Sequence, residues 1–291
     1  MQHYLLLALA VILMALDNVL RKRFQLNAGT SLRAGLRFNV LLGGSAVVLF
    51  WGINGFRMEC TPYSLLMAFL QAALAVAYTV IGFGIMKKSV AMYALFLMTG
   101  GMMVPYLCGA LFLGESASWL HVVGLIMILA AIFLSRAKGA RADRQLMLPC
   151  IAVFLLNGFA SAITKLHQVP AGYDAVSSMG FLVLVNLGKL VLSSAALGVM
   201  ALCRKDKPAE GSGMKLRTLL PVLACTAVSG TAYLLQLTAA KQVYATVMYP
   251  MITGGTILAS AMFAWLFYHE RPTRRIWAGM LLCLAGTCMF L

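Results

Sequence analysis

Two stretches of this chain, residues 87–135 and 240–291, repeat one pattern of residues. One begins KKSVAMYALFLMTGG and the other KQVYATVMYPMITGG, with Lys, Ala and the closing Thr-Gly-Gly in the same register. Both continue to a glutamate, Glu115 or Glu270, at the end of the apolar segment. The chain therefore consists of two homologous halves, and any fold it adopts has to be built twice.

The composition requires a lipid environment for both halves. Hydrophobic residues make up 62% of the chain and charged residues 11%, whereas a soluble domain has roughly 25% charged residues. The charges separate long uncharged runs, each close to the ~20 residues with which a helix crosses the hydrocarbon core. We expect ten transmembrane helices, at residues 3–20, 32–53, 62–86, 89–113, 118–135, 146–165, 174–203, 217–239, 243–268 and 274–291.

The number of helices in each half predicts their relative orientation. Because five is odd, two fused copies of five helices must cross the membrane in opposite senses. We therefore expect an all-α membrane protein whose ten transmembrane helices form two inverted five-helix repeats around a central cavity. The basic stretch 135–145 joins the two repeats.

Lysine and arginine predict the sidedness. Most of the 23 Lys and Arg residues fall in the connections after the odd-numbered helices, the first of which holds Arg21, Lys22 and Arg23. The positive-inside rule places these connections in the cytoplasm and both termini outside. The net charge of +15 is explained by these loops, so it does not indicate nucleic acid as a partner.

Together these features resemble the drug/metabolite transporter (DMT) superfamily, and within it the EamA-like ten-helix transporters. The resemblance rests on the two five-helix halves, on the Ala-Tyr and Lys-x-x-x-Ala approach to helices four and nine, and on Glu115 and Glu270 opening helices five and ten. It implies that residues 1–140 and 141–291 are the first and second EamA-like five-helix repeats. It leaves the substrate open, since members carry amino acids, nucleosides, sugar phosphates, quaternary amines and drugs. Ten-helix members are usually described with cytoplasmic termini, in contrast to the charge bias here.

Ionisable residues at membrane depth are the first candidates for a binding site, because a charge there costs at least ~2.5–3.5 kcal/mol. Lys189 lies near the middle of the seventh run, and Asn186 precedes it by one turn on the same helical face. The alternative for Lys189 is a long side chain that reaches the membrane interface. We expect both residues to contact the substrate.

Asp17 and Asn18 lie near the end of the first run. Asp17 resembles in kind the carboxylate that small multidrug resistance relatives use for coupled proton and cation binding, and it is our candidate coupling residue. The alternative is an interfacial ion pair with Arg21, four residues on. Arg37 and Asn39, one turn into the second run, are compatible either with a membrane anchor or with an anion contact.

Aromatic and hydroxyl groups complete the predicted cavity. Tyr78 and Tyr233 occupy equivalent positions in the repeats, as do Thr99 and Thr253. Packing or interfacial roles are open for each of them. The full set of candidate substrate-binding residues is Lys189, Asn186, Tyr78, Tyr233, Arg37, Asn39, Thr99, Thr253, Tyr249 and Gln236.

Each repeat also carries a Gly-Gly pair and a proline in its fourth helix. The residues are Gly100, Gly101 and Pro105 in the first repeat and Gly254, Gly255 and Pro250 in the second. They predict close helix crossing or local unwinding near the cavity. Glu115 and Glu270 are expected to stabilise helix N-termini.

The sequence has no P-loop, HExxH, GxSxG or Rossmann motif, so we expect no enzyme, no cofactor and no metal. The favoured function is secondary active transport, by export or exchange, of a small polar and amino-acid-like metabolite across a cell membrane, such as a bacterial inner membrane. A proton-coupled exporter of drugs or cations is the alternative, and a non-transporting scaffold is a weaker one. The expected partners are a small-molecule substrate and the lipid bilayer, and a monomer is compatible with this function.

Overall fold

The computed structural model describes residues 2–112, 118–134, 140–168, 172–203, 216–240 and 245–289. Within these ranges the chain forms ten α-helices. They are α1 (Gln2–Ala28), α2 (Leu32–Ile53), α3 (Pro62–Lys88), α4 (Val90–Phe112), α5 (Trp119–Leu134), α6 (Ala140–Gln168), α7 (Ser178–Cys203), α8 (Leu216–Ala240), α9 (Ala245–Tyr268) and α10 (Arg274–Cys288).

Helix α1 differs most from the predicted boundaries. It continues to Ala28 rather than ending at residue 20, so Arg21 and Lys22 belong to a helix and not to a connection. Both charges are compensated inside the fold, Arg21 by Asp17 and Lys22 by Glu270. The prediction that these cations lie in the connection after the first helix is therefore wrong. An ion pair lowers the cost of placing each of them in a membrane helix.

The ends of several helices are fixed by capping side chains. Ser31 accepts a hydrogen bond from the Ala34 N–H at the start of α2, and Thr61 accepts one from the Ser64 N–H at the start of α3. Thr273 caps α10 in the same way. Such caps satisfy backbone donors that have no partner within the helix, and they define where the chain enters each helix.

The main contacts between helices are preserved when each helix is replaced by its equivalent in the other repeat, five places away in chain order. Helix α1 packs on α8 and α9, as α6 packs on α3 and α4. The equivalent helices α2 and α7 contact each other, as do α4 and α9, and α5 and α10. This two-fold exchange of helix contacts is the one expected of the predicted inverted repeat.

Among the described residues, eight helices are long and apolar enough to cross a membrane, and α5 is a shorter apolar helix. These eight are α1–α4 and α6–α9. The protein is thus an all-helical, multi-pass membrane protein.

Two glycines bring helices of opposite repeats into close contact. A Cβ added at Gly100 on α4 would lie 2.1 Å from the Phe154 carbonyl oxygen on α6, and one added at Gly43 on α2 would lie 2.9 Å from the Asn186 carbonyl oxygen on α7. Helices α4 and α9 are continuous over their lengths. Of the two possibilities that the Gly-Gly pairs left open, the described residues thus show close crossing at Gly100 and no unwinding of α4 or α9.

Candidate functional site: the central cavity

A cavity of about 190 Å³ lies between helices of the two repeats. Helices α1, α2 and α3 line one part of it, and α7 and α8 line the rest. Its charged and polar lining includes Arg21, Gln71, Asn186, Lys189, Ser229 and Tyr233. A cavity of this kind between repeats is where transporters of inverted-repeat architecture bind their substrates.

Lys189 contributes a cation to this cavity from the middle of α7. Its Nζ lies 3.5 Å from the Asn186 Oδ1, one turn earlier on the same helix. Asn186 in turn donates a hydrogen bond to the Leu182 carbonyl, which holds its amide in place. The two residues predicted to share a site therefore lie together on one wall of the cavity.

Arg21 lines the cavity from α1, on the other side from α7. Its Nε donates a hydrogen bond to the Asp17 Oδ2 over 2.7 Å, and its guanidinium carbon lies 5.3 Å from the centroid of the Phe38 ring. The stacking and the ion pair fix the guanidinium within the membrane-spanning part of the helix. The sequence pattern predicted Arg21 as a basic loop residue and as the i+4 partner of Asp17, and it missed the place of Arg21 in the cavity.

The charges around the cavity are unequal in number. Arg21 and Lys189 supply two cations, whereas Asp17 supplies one carboxylate and lies within electrostatic range of both. Asp17 already pairs with Arg21 through Oδ2, and its Oδ1 is buried with no hydrogen-bond partner among the described residues. A partly buried cation that is only weakly paired, as Lys189 is here, favours the binding of an anionic group.

The predicted tyrosines separate into different environments. Tyr233 on α8 lines the cavity, while Tyr78 on α3 packs against a buried cluster that includes Phe24, Phe38 and Tyr93. The side chains of Gln236 and Tyr249 lie outside the residues whose side chains the structure describes, so their predicted contact with substrate stays a prediction.

The remaining predicted residues do not line this cavity. Arg37 is exposed on α2, which fits a membrane anchor and not an anion contact inside the fold. Asn39 is buried and donates to the Gly35 carbonyl of its own helix. Thr99 is buried and donates to the Leu95 carbonyl over 2.6 Å, and Thr253 is buried on α9. Hydrogen bonds to the backbone of their own helices thus occupy the side chains of Asn39 and Thr99.

Other lining residues, among them Gln71, Ser229 and Phe50, were also not predicted as cavity residues. Gln71 on α3 and Ser229 on α8 are isolated polar side chains within apolar runs, and Phe50 on α2 is one aromatic residue among many. A lone amide such as Gln71 in a membrane helix is itself a signal for a buried site, since an unsatisfied polar group is costly there. For Phe50 the sequence contains no such signal.

A second charged contact joins the last turns of α1 to the connection between α9 and α10. Lys22 is buried and forms an ion pair with Glu270, in the connection between α9 and α10. The Glu270 Oε2 also accepts a hydrogen bond from the Val90 N–H, 3.1 Å away at the start of α4. Glu270 thus stabilises the N-terminus of α4. The sequence had suggested that it stabilises the N-terminus of α10. Its repeat equivalent Glu115 lies outside the described residues.

The tyrosine next to Glu270 strengthens the same contact. Lys22 Nζ lies 5.2 Å from the centroid of the Tyr268 ring, and the Tyr268 hydroxyl donates to the Val19 carbonyl over 2.8 Å. The cation–π contact and the hydrogen bond hold α9 against α1 beside the cavity. One ion pair, one cation–π contact and two hydrogen bonds therefore join α1, the start of α4 and the end of α9.

The fold and the cavity define a class of protein: a multi-pass membrane transporter built of two inverted five-helix repeats. Residues 149–291, about half of the chain, match the model of the EamA-like transporter family. The chain belongs to this family, which is part of the drug/metabolite transporter superfamily, and it is a membrane transporter of that type.

The other comparisons bear on the fold. A solved crystal structure, described only as that of a protein, aligns with 99% of this chain and 96% of its own chain at a TM-score of 0.60 and 16% identity. At this identity the likeness shows the fold alone. No curated protein matches the sequence.

Proposed function

We propose that this protein exports or exchanges a small anionic or zwitterionic metabolite by alternating access, with the central cavity as its binding site. The observation that supports this most is that Lys189 and Arg21 line one cavity, with Asp17 as the nearby carboxylate. Because Asp17 is occupied by Arg21, the Lys189 ammonium is available for a carboxylate or phosphate of the substrate.

Amino-acid-like substrates fit this arrangement best. The cavity combines the cations with amide and hydroxyl groups and with the apolar side chains of Phe50 and Phe181. A volume of about 190 Å³ suits a small metabolite, and the apolar wall can hold a hydrocarbon side chain while the charged wall holds the acid. The cavity is formed within a single chain, so we propose that a monomer suffices for transport.

Export of a lipophilic cation coupled to protons is the second candidate. It is favoured by Asp17, whose buried Oδ1 has no hydrogen-bond partner among the described residues. The nearby Lys189 and Arg21 would repel a cation, however, and Arg21 competes for the same carboxylate. We therefore rank this function below transport of an anion or zwitterion, and place proton coupling, if it occurs, at Asp17.

A thermal-shift screen on detergent-purified protein tests the proposal. The panel contains amino acids, hydroxy acids, sugar phosphates, quaternary amines and lipophilic dyes. Ligand binding to the folded state raises Tm, and we expect stabilisation by acids or zwitterions. Stabilisation by quaternary amines or dyes, with none by any acid or zwitterion, would contradict the proposal and support the second candidate.

A further inference from the structure

One polar residue of the cavity wall, Gln71, has a side-chain oxygen without a hydrogen-bond partner among the described residues. Gln71 lies on α3, and this oxygen is its buried Oε1. A buried amide oxygen without a partner costs free energy, because the water that it bonded in the unfolded state is not replaced. Such a group is expected to gain a partner when the cavity is filled.

The other polar groups on the lining differ from Gln71 in this respect. Thr226 donates to the Val222 carbonyl, Ser229 donates to the Cys225 carbonyl over 2.7 Å, and Asn186 donates to the Leu182 carbonyl. These side chains are held by their own helices, as is common for hydroxyl and amide groups in helices. Gln71 instead has a side-chain oxygen with no hydrogen-bond partner among the described residues.

Gln71 also lies next to the point where α3 and α7 cross. A Cβ added at Gly188 would lie 2.8 Å from the Ala72 Cβ, so the helices touch at the residues that immediately adjoin Gln71 and Lys189. Both of these side chains line the same cavity. Gln71 and Lys189 therefore occupy adjoining positions on the cavity wall, at the crossing of α3 and α7.

We propose that Gln71 is a specificity-determining residue that accepts a hydrogen bond from a donor on the carbon adjacent to the substrate's carboxylate. The substrate class is then a 2-hydroxy or 2-amino acid and not a simple carboxylic acid. This inference rests on the proposed function, since it needs an acid bound at Lys189. It adds a requirement that the charges alone do not impose, because Lys189 and Arg21 would bind any small carboxylate.

Three acids with one carbon skeleton test the inference directly: 4-methylpentanoate, 2-hydroxy-4-methylpentanoate and leucine. Their Kd values are measured by titration calorimetry on the full-length protein in detergent. For the wild type we expect the hydroxy acid, the amino acid or both to bind at least about 10-fold more tightly than the simple acid, the difference that one buried hydrogen bond makes. This comparison uses only the wild-type protein and does not depend on the folding of a variant.

The substitution Gln71→Leu removes the acceptor and keeps a side chain of similar size. We expect it to abolish the discrimination between the simple acid and its 2-substituted analogues, while the simple acid binds as it does to the wild type. Thr79→Val is the matched control, because Thr79 is buried on the same helix and does not line the cavity. It should leave the discrimination intact.

The outcomes separate the inference from the proposed function. If the wild type binds none of the three acids, the inference is overturned, while the thermal-shift screen with its wider panel decides the proposed function. If the wild type binds all three equally, or if Gln71→Leu still discriminates between them, the inference is overturned while binding of acids stands. A Gln71→Leu protein that does not fold leaves the wild-type comparison to decide.

Discussion

Arg21 and Asp17 form an ion pair one helical turn apart on α1, with the Arg21 Nε 2.7 Å from the Asp17 Oδ2. The two side chains are 13% and 11% exposed, so the pair is largely withdrawn from water within a membrane helix. It neutralises the only carboxylate near the cavity among the described residues. Lys189 consequently carries the excess positive charge of the site.

Replacing one residue of this pair is expected to lower the stability of the protein more than replacing both. Asp17→Asn leaves the Arg21 guanidinium without its counter-charge, and loss of one partner of a buried ion pair typically costs about 3–5 kcal/mol. The double variant Asp17→Asn/Arg21→Gln should recover a large part of that stability. Tm values of the single and double variants in detergent measure this. A double variant no more stable than Asp17→Asn would show that the two residues do not stabilise the protein as a pair.

The Lys22–Glu270 pair predicts an asymmetric response to charge reversal. Lys22→Glu places two carboxylates together at a buried position, and we expect a loss of several kcal/mol or of folded protein. Adding Glu270→Lys restores the opposite charges but removes the acceptor of the Val90 N–H. Recovery of Tm should therefore be partial. Full recovery would contradict a role of Glu270 at the start of α4.

The close crossing of α4 and α6 can be tested with two glycine substitutions. Gly100→Ala places a methyl group 2.1 Å from the Phe154 carbonyl oxygen, and we expect it to destabilise the protein by about 1–3 kcal/mol. Gly84→Ala is the matched control, because nothing lies within 4 Å of its added Cβ and alanine favours a helix. Equal Tm values for the two variants would contradict the crossing.

The predicted sidedness can be measured with two exposed native cysteines. Cys60 lies in the connection between α2 and α3, and Cys203 lies at the end of α7. The charge distribution places Cys60 outside and Cys203 in the cytoplasm. In single-cysteine proteins in intact cells, a membrane-impermeant maleimide should label Cys60 and not Cys203. A cysteine at Gly139, outside the described residues, should likewise remain unlabelled. The reverse pattern would place the termini in the cytoplasm.

The helices could be predicted from the sequence because the bilayer imposes a length and a lack of charge on each of them. This rule locates α2 at residues 32–53, as observed. It fails for α1, because it treats the basic residues Arg21, Lys22 and Arg23 as the end of the helix. Lys22 is buried by pairing with Glu270, and no local pattern links two residues so far apart in the sequence.

The residues of the candidate site that could be predicted are those that stand out in the sequence by themselves. Lys189 is a lysine within an apolar run, and Tyr233 is marked by its position in the repeat. Gln71 and Phe50 join the site only because α3, α2 and α7 meet around one cavity. Arg37 is a counterexample, since its charge suggested a site while the helix places it on the outside.

The central claim is that Lys189 binds the anionic group of the transported substrate. It is tested most directly by uptake of a radiolabelled acid, chosen from those that stabilise the wild type, into proteoliposomes. We expect Lys189→Ala to reduce uptake at least about 10-fold, as loss of a charge-assisted hydrogen bond does, with normal reconstitution. Lys88→Ala, at the exposed end of α3, should transport normally. Wild-type rates in Lys189→Ala at substrate concentrations below KM would contradict the account.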